Sequence, residues 1–272
     1  MPEGPEVKRM AMDLAAAVSN KTLESIEIIS GRYTKKPAEG LTEIQSVLPT
    51  KVIGAGCHGK FMYMLTNSGF NVWCTLGMTG RWTKSNDGHV RARFSFSDGD
   101  YVNYEDTRNF GTLKFVYGKE EMIKKLRSLG PDLLSDRIEP EFFVRRIRDH
   151  DNKNITKALM DQSIFSGVGN YVKAEALWLA EINPMKDVKQ LEDRELLLLC
   201  ETIKSVLINS FESGGATFKS HKNFSGEPGD YSSRFLCYSR KKDAEGNPVE
   251  KLQTPDGRTT HWAPNKQGDK NE

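Results

Sequence analysis

Apolar residues fall first at helical spacing: Val7, Met10, Ala11, Leu14, Ala15 and Val18 recur at steps of three and four, one face of a helix. Pro5 and Glu6 suit the start of that helix, where one N–H is unpaired anyway and the dipole favours an acid. From residue 21 to 117 short runs at 25–29, 61–66, 71–76, 90–96 and 101–104 are separated by Gly, Asn and Asp. Many short strands with frequent turns predict a sandwich or barrel. Beyond about residue 118 helical spacing returns, with helices expected at 140–148, 153–162, 170–180 and 191–211. The stretch Leu129-Gly130-Pro131-Asp132-Leu133-Leu134 reads as a linker. Past Gly214-Gly215 the chain is rich in Gly, Ser and Lys to about residue 230. Strands are then expected at 234–240, 249–254 and 258–263, the last two joined by the turn Pro255-Asp256-Gly257.

Composition changes this picture little. The 272 residues allow two domains or one large one, and 37% hydrophobic with 28% charged residues is ordinary for a globular protein. No apolar run approaches the ~18–20 residues of a membrane span, and no apolar signal core opens the chain. A soluble, intracellular protein is the expectation. A net charge of +2 does not announce a polyanion partner, although Lys124-Lys125, Arg145-Arg146 and Arg240-Lys241-Lys242 could form a basic face. Solvated surface is the ordinary use of such clusters. The four cysteines, Cys57, Cys74, Cys200 and Cys237, contain no Cys-x-x-Cys pair, and no His pair supplies the missing spacing. A structural zinc site is therefore not expected.

Two stretches suggest chemistry. The chain opens MPEGPEV, and a helix start explains Pro5 and Glu6 but leaves Pro2 and Glu3 without a role. Removal of Met1 would leave Pro2 as a secondary amine, and an α-amino group has a pKa near ~8, so part of it is unprotonated at neutral pH. Its attack on a sugar C1′ gives an iminium ion that makes the C2′ hydrogens acidic, with Glu3 beside it to shuttle protons. Glu6, one helical turn on, either joins that proton network or serves the helix dipole. The second stretch is Gly167-Val168-Gly169-Asn170 between two helical patterns. Asn170 suits either an N-cap or, with the glycines, the binding of a phosphate.

Together, MPEGPEV and the stretch 155–184 resemble the formamidopyrimidine-DNA glycosylase and endonuclease VIII family of base-excision repair enzymes, and the likeness spans the chain. In HGKFMYML, Lys60 matches the family's catalytic lysine. In TLGMTGRW, Met78 matches the methionine that fills the gap left by an extruded nucleotide. In YEDTRNFGT, Arg108 and Phe110 match an arginine that bonds the orphaned base and a wedge that enters the stack. Asn109 stands where many relatives have arginine, which puts contacts to the orphaned strand in doubt. Many relatives end in a four-cysteine zinc finger whose hairpin arginine grips phosphate. Here Gly257-Arg258-Thr259-Thr260 is kept with Cys237 as the one cysteine, which resembles the zincless finger of some members; Arg258 matches that arginine.

The resemblance implies an α+β multidomain fold: an N-terminal helix with a β-sandwich over 1–128, a helix–two-turn–helix domain over 129–225, and a zincless β-hairpin finger over 226–272. It implies a monomer that binds damaged DNA, duplex or single-stranded, in the nucleus or nucleoid, with no cofactor, metal or membrane. The implied mechanism flips the nucleotide out. Pro2 expels the damaged base with Glu3 handling protons, Lys60 donates a proton in β-elimination, and Arg258 serves δ-elimination. The Pro-Glu-Gly-Pro-Glu opening looks closer to the endonuclease VIII branch, whereas loop 213–231 looks closer to the loop that covers 8-oxoguanine. Oxidised pyrimidines and formamidopyrimidines are the expected substrates, with 8-oxoguanine left open. The alternative function is a non-catalytic binder of damaged DNA with this fold.

Overall fold

The structure, a computed structural model, describes residues 2–86, 88–216, 224–226 and 229–268. It divides into two units, Met1–Ser128 with Ser213–Asp230, and Leu129–Glu212 with Tyr231–Glu272. This division differs from the expected boundaries in two ways. Segment 213–230 groups with the first unit, where Glu6 accepts the Ala216 N–H at 2.7 Å. The C-terminal hairpin groups with the helices, to which it is hydrogen-bonded along its length.

In the first unit α1 (Gly4–Val18) starts one residue earlier than the proline implied. Glu3 is its N-cap and Glu6 its N3 residue, a capping box in which the Glu3 N–H donates to Glu6 Oε2 at 2.7 Å. The helix buries Val7, Met10, Ala11, Leu14 and Val18, the face that its spacing predicts. Each of the larger side chains contributes about 1.5–3 kcal/mol by leaving water.

Eight strands follow: β1 (Thr22–Ile28), β2 (Thr50–His58), β3 (Phe61–Thr66), β4 (Phe70–Thr75), β5 (Gly80–Thr83), β6 (Val90–Phe96), β7 (Tyr101–Asp106) and β8 (Thr112–Tyr117). A short α2 (Leu41–Gln45) interrupts them and α3 (Lys119–Arg127) ends the series. The strand order β5-β7-β6-β1-β2-β3-β4-β8 is antiparallel and open. Its weak joint is β1–β2, paired only at Thr22–Lys51 and Leu23–Thr50. The two halves fold over one another at that joint. Tyr104 on β7 donates to the Thr75 carbonyl on β4 at 3.2 Å, and Phe94 on β6 meets Phe115 on β8 at 6.3 Å. This is a sandwich, not a barrel. Helix α1 packs mainly on β2 and β3.

Strands β2, β5 and β8 were not expected from the sequence. In β2 the punctuation by Gly54 and Gly56 hides the pattern, and Gly56 lies against the Tyr63 side chain. A Cβ on it would lie 2.9 Å from the Tyr63 hydroxyl on the partner strand.

The second unit holds α4 (Pro140–Arg148), α5 (Ile155–Met160), α6 (Asn170–Leu179), α7 (Asp193–Glu212), the hairpin β9 (Glu250–Gln253) and β10 (Thr259–Trp262), and a last turn α8 (Pro264–Gln267). Helices α5 and α6 flank the double turn. Gln162 spans that turn, accepting the Gly167 N–H and donating to the Met160 and Val168 carbonyls, each at 3.1 Å. Phe143 of α4 stacks on Phe165 at 4.6 Å.

Helix α6 is buried from Tyr171 through Trp178. A helix buried all round needs partners on every side, and α7 supplies one of them. Strand 234–240 is a correction: the chain forms a 3₁₀ turn at Tyr231–Arg234 and then runs irregularly. The N–H groups of Leu236, Cys237 and Tyr238, which a strand would commit to a ladder, donate instead to the carboxylate of Glu175. Among the described residues no helix is long and apolar enough to cross a membrane.

Candidate active site and nucleic-acid interface

Pro2, Glu3 and Glu6 are all buried at the start of α1. Both carboxylate oxygens of Glu6 are held by backbone N–H groups, Oε2 by Glu3 and Oε1 by Ala216, each at 2.7 Å. Glu6 therefore fixes the backbone that carries Pro2 and Glu3, and ties it to the base of loop 213–231. Residues 217–223 and 227–228 of that loop lie outside the described residues. Lys60 sits in the tight turn between β2 and β3, directly before the strand as expected, on the hairpin against which α1 packs.

Met78, Arg108 and Phe110 lie on two loops that touch. Met78 is in the turn between β4 and β5, and Arg108 and Phe110 are in the connection from β7 to β8. Gly77 has φ +58, and a Cβ there would fall 2.6 Å from the Gly111 nitrogen. Only glycine allows so close an approach.

The contact is then pinned by Thr79 and Asp106, both buried, neither of which was expected as a site residue. Thr79 Oγ1 donates to Asp106 Oδ1 at 2.5 Å and accepts the Arg108 N–H at 2.9 Å, while Asp106 Oδ2 accepts the Gly111 N–H at 2.7 Å. The sequence signal was present: Thr79 follows Met78, and Asp106 precedes Arg108 by two. Asn109 adopts φ +58, a left-handed conformation that asparagine tolerates better than most residues. Its carbonyl accepts from Arg32 Nη1 at 3.3 Å.

Phe110 is left 56% exposed, with the Arg108 guanidinium 4.8 Å from its ring centre. An exposed aromatic carrying a cation offers a flat apolar face beside hydrogen-bond donors, which suits an unpaired base.

In the second unit Asn170 is the first residue of α6, with Gly169 as the N-cap, so Asn170 does not serve as the cap. Its Nδ2 donates to the Thr259 carbonyl at 3.0 Å, beside Arg258. Arg258 is exposed in the β9–β10 turn, where Gln253 pairs with Thr259. The unit thus brings Asn170 and the Arg258 turn together.

Phe235 and Tyr238 of the C-terminal segment pack on Tyr171 of α6 at 5.5 and 6.4 Å. Polar anchors on α6 were missed by the sequence reasoning. Glu175 accepts three N–H groups at 2.6–2.8 Å, and Trp178 Nε1 donates to Asp243 at 2.9 Å.

A zinc ion does not fit here. Among the described residues no group of three or more His, Cys, Asp and Glu is placed to hold a metal. The Cys237 thiol is buried, and burial with the nearby Glu175 and Asp243 carboxylates pushes it up to about 12.

Sequence models of two domains match this chain: the formamidopyrimidine-DNA glycosylase N-terminal domain over residues 1–113, and the formamidopyrimidine-DNA glycosylase H2TH domain over 129–222. With the helix-led sandwich and the double turn between α5 and α6, they define an enzyme class, the DNA glycosylases of base-excision repair. The formamidopyrimidine-DNA glycosylase of Halalkalibacterium halodurans is 32% identical over 272 residues, covering 96% of this chain and 98% of the relative. The crystal structure of the MutM (Fpg) protein from Thermus thermophilus superposes with a TM-score of 0.86 at 27% identity, covering 99% of this chain and all of that one. Wild-type Lactococcus lactis Fpg, solved with DNA containing an oxidised pyrimidine, shares the fold with a TM-score of 0.86 at 24% identity, covering 98% of this chain and all of that one. The chain belongs to the formamidopyrimidine-DNA glycosylase family.

Proposed function

We propose that this glycosylase is bifunctional, removing oxidised pyrimidines and formamidopyrimidines from DNA and then cutting the strand as a lyase. The observation that carries it is the locked pair of loops bearing Met78, Arg108 and exposed Phe110. An exposed phenylalanine on a rigid, hydrogen-bonded loop is a wedge for a base stack, and wedging is what frees a nucleotide to be flipped. Met78 fills the vacated space and Arg108 bonds the orphaned base. The L. lactis enzyme solved with oxidised-pyrimidine DNA supports a pyrimidine substrate for this fold.

Once Met1 is removed, the Pro2 nitrogen attacks C1′ of the flipped nucleotide. The C1′–N bond breaks, and the base leaves with its electron pair and a proton. The C1′–O4′ bond then breaks to give the iminium ion, with Glu3 delivering a proton to O4′ and Glu6 holding the backbone of both residues. Loss of a C2′ proton lets the 3′ C–O bond break, expelling the 3′ phosphate, with Lys60 as proton donor. A second elimination expels the 5′ phosphate, which Arg258 holds, and leaves a one-nucleotide gap. Asn170 binds a neighbouring phosphate through its carboxamide.

The test is covalent trapping. Borohydride should reduce the iminium ion and link the protein to abasic-site DNA, and an N-terminal extension should abolish the link. Trapping by the extended protein would move the nucleophile to a side chain, Lys60 first. No trapping by the unmodified protein would leave a damage binder without lyase chemistry.

A further inference from the structure

Lys173 and Asp256 form an ion pair at 2.5 Å with side chains 0% and 2% exposed. No step of the proposed chemistry uses either. A pair this buried is weak evidence for stability, because stripping water from two ions cancels much of their attraction. What it supplies is a direction.

The two oxygens of Asp256 do different work. Oδ2 accepts from the Lys173 ammonium. Oδ1 organises the turn, with Thr254 Oγ1 at 2.5 Å and the Arg258 N–H at a longer 3.4 Å. Thr254 Oγ1 also lies 3.0 Å from the Arg258 carbonyl and 2.7 Å from Thr260 Oγ1. Lys173 is one helical turn along α6 from Asn170, so the two share a face. That face meets the hairpin twice, through Asn170 to the Thr259 carbonyl and through Lys173 to Asp256.

We infer that Lys173 is a positioning residue: its bond to Asp256 sets the Arg258 turn against the start of α6, so that Arg258 and Asn170 meet neighbouring phosphates together. This rests on the phosphate-binding roles proposed for those two residues. Burial pushes the Asp256 carboxyl up, but the Lys173 and Thr254 hydrogen bonds outweigh it and hold the group below the usual carboxylate range. Asp256 is therefore ionised at neutral pH, as a fixed anchor requires.

The experiment compares Lys173→Met, Lys173→Met/Asp256→Asn, Arg258→Ala and Lys173→Met/Arg258→Ala. Each is measured for the salt slope of affinity toward duplex DNA with an abasic-site analogue, for the ratio of δ to β products, and for borohydride trapping. Lys173→Met should shrink the slope by about one unit, the loss of one phosphate contact, and lower the share of δ product while trapping persists. In the Arg258→Ala background it should change neither quantity further, since its effect passes through Arg258. Lys173→Met/Asp256→Asn leaves no buried charge unpaired and should regain thermal stability without regaining the slope; it carries the test if Lys173→Met does not fold. A wild-type slope and product ratio in Lys173→Met, or their recovery together with stability in the double variant, would overturn the inference. Absence of trapping in the unmodified protein would overturn the lyase proposal instead, while the salt slopes would still decide this inference.

Discussion

Replacing Glu175 is the sharpest test of how the C-terminal segment is held. Its carboxylate accepts from Leu236, Cys237 and Tyr238 at 2.7, 2.8 and 2.6 Å. Hydrogen bonds to a charged group contribute roughly 1.5–3 kcal/mol each, less the cost of burying the charge. That cost is large here, since burial raises the Glu175 carboxyl above its usual range despite three donors. Glu175→Ala removes the charge and its burial cost together, but strands the fully buried Cys237 N–H at about 1–3 kcal/mol. The other two N–H groups are partly exposed and can turn to water. Together with the packing lost when a buried side chain is cut back to alanine, a loss of about 3 kcal/mol is expected, or about 6–12 °C in the thermal midpoint. Glu175→Gln keeps Oε1, which serves Cys237 and Tyr238, but turns an NH₂ toward Leu236. It should cost about 1 kcal/mol. Calorimetry on both variants, with metal analysis of each sample, reads this directly. An alanine variant within about 1 kcal/mol of the parent, a glutamine variant as unstable as alanine, or stoichiometric zinc would refute the reasoning.

Two further outcomes are expected. Glu3→Gln keeps the side-chain shape and removes the proton shuttle, so base excision should fall by roughly 10²–10⁴-fold while cleavage at a preformed abasic site falls less; equal losses in both assays would assign Glu3 to positioning. Burial and the Lys251 charge depress His261 below its ordinary 6.5, so as pH falls the unfolded chain takes the proton first. The stability His261 contributes is present above about pH 6.5 and is lost as pH falls through the folded value, so midpoints measured at pH 7.5 and about 5.5 should diverge less in His261→Phe than in the parent.

The elements legible in the sequence are those whose burial follows one clean period. Helix α1 is amphipathic and α4 opens on proline, and both appear where the spacing put them. The candidate site residues come from short stretches of fixed order, such as Gly77-Met78-Thr79 and Arg108-Asn109-Phe110. What escaped was anything settled by a distant partner. The run 234–240 alternates like a strand, but its donors go to a carboxylate about 60 positions earlier. Thr79 and Asp106 stand 27 positions apart and meet at one point only because β5 pairs with β7.

Helix α6 shows why such partners stay hidden. Asn170, Lys173, Glu175 and Trp178 each reach a different part of the C-terminal segment: Thr259, Asp256, residues 236–238 and Asp243. At about 100° per residue they point to about 0°, 300°, 140° and 80° around the axis, so no single stripe contains them. Read as a pattern, Lys173 and Glu175 mark a solvated face, yet both are fully buried. The segment is wound about the helix, and the helix offers one polar contact to each passing strand or turn. A four-cysteine finger would carry its fixing point within itself. Here the fixing points lie on the helix that opens with Asn170, so the hairpin that presents Arg258 takes its orientation from the same element. The two proposed phosphate contacts are thus carried by α6 and by the hairpin it fixes, and a change along α6 at Lys173 or Asn170 should be felt at Arg258.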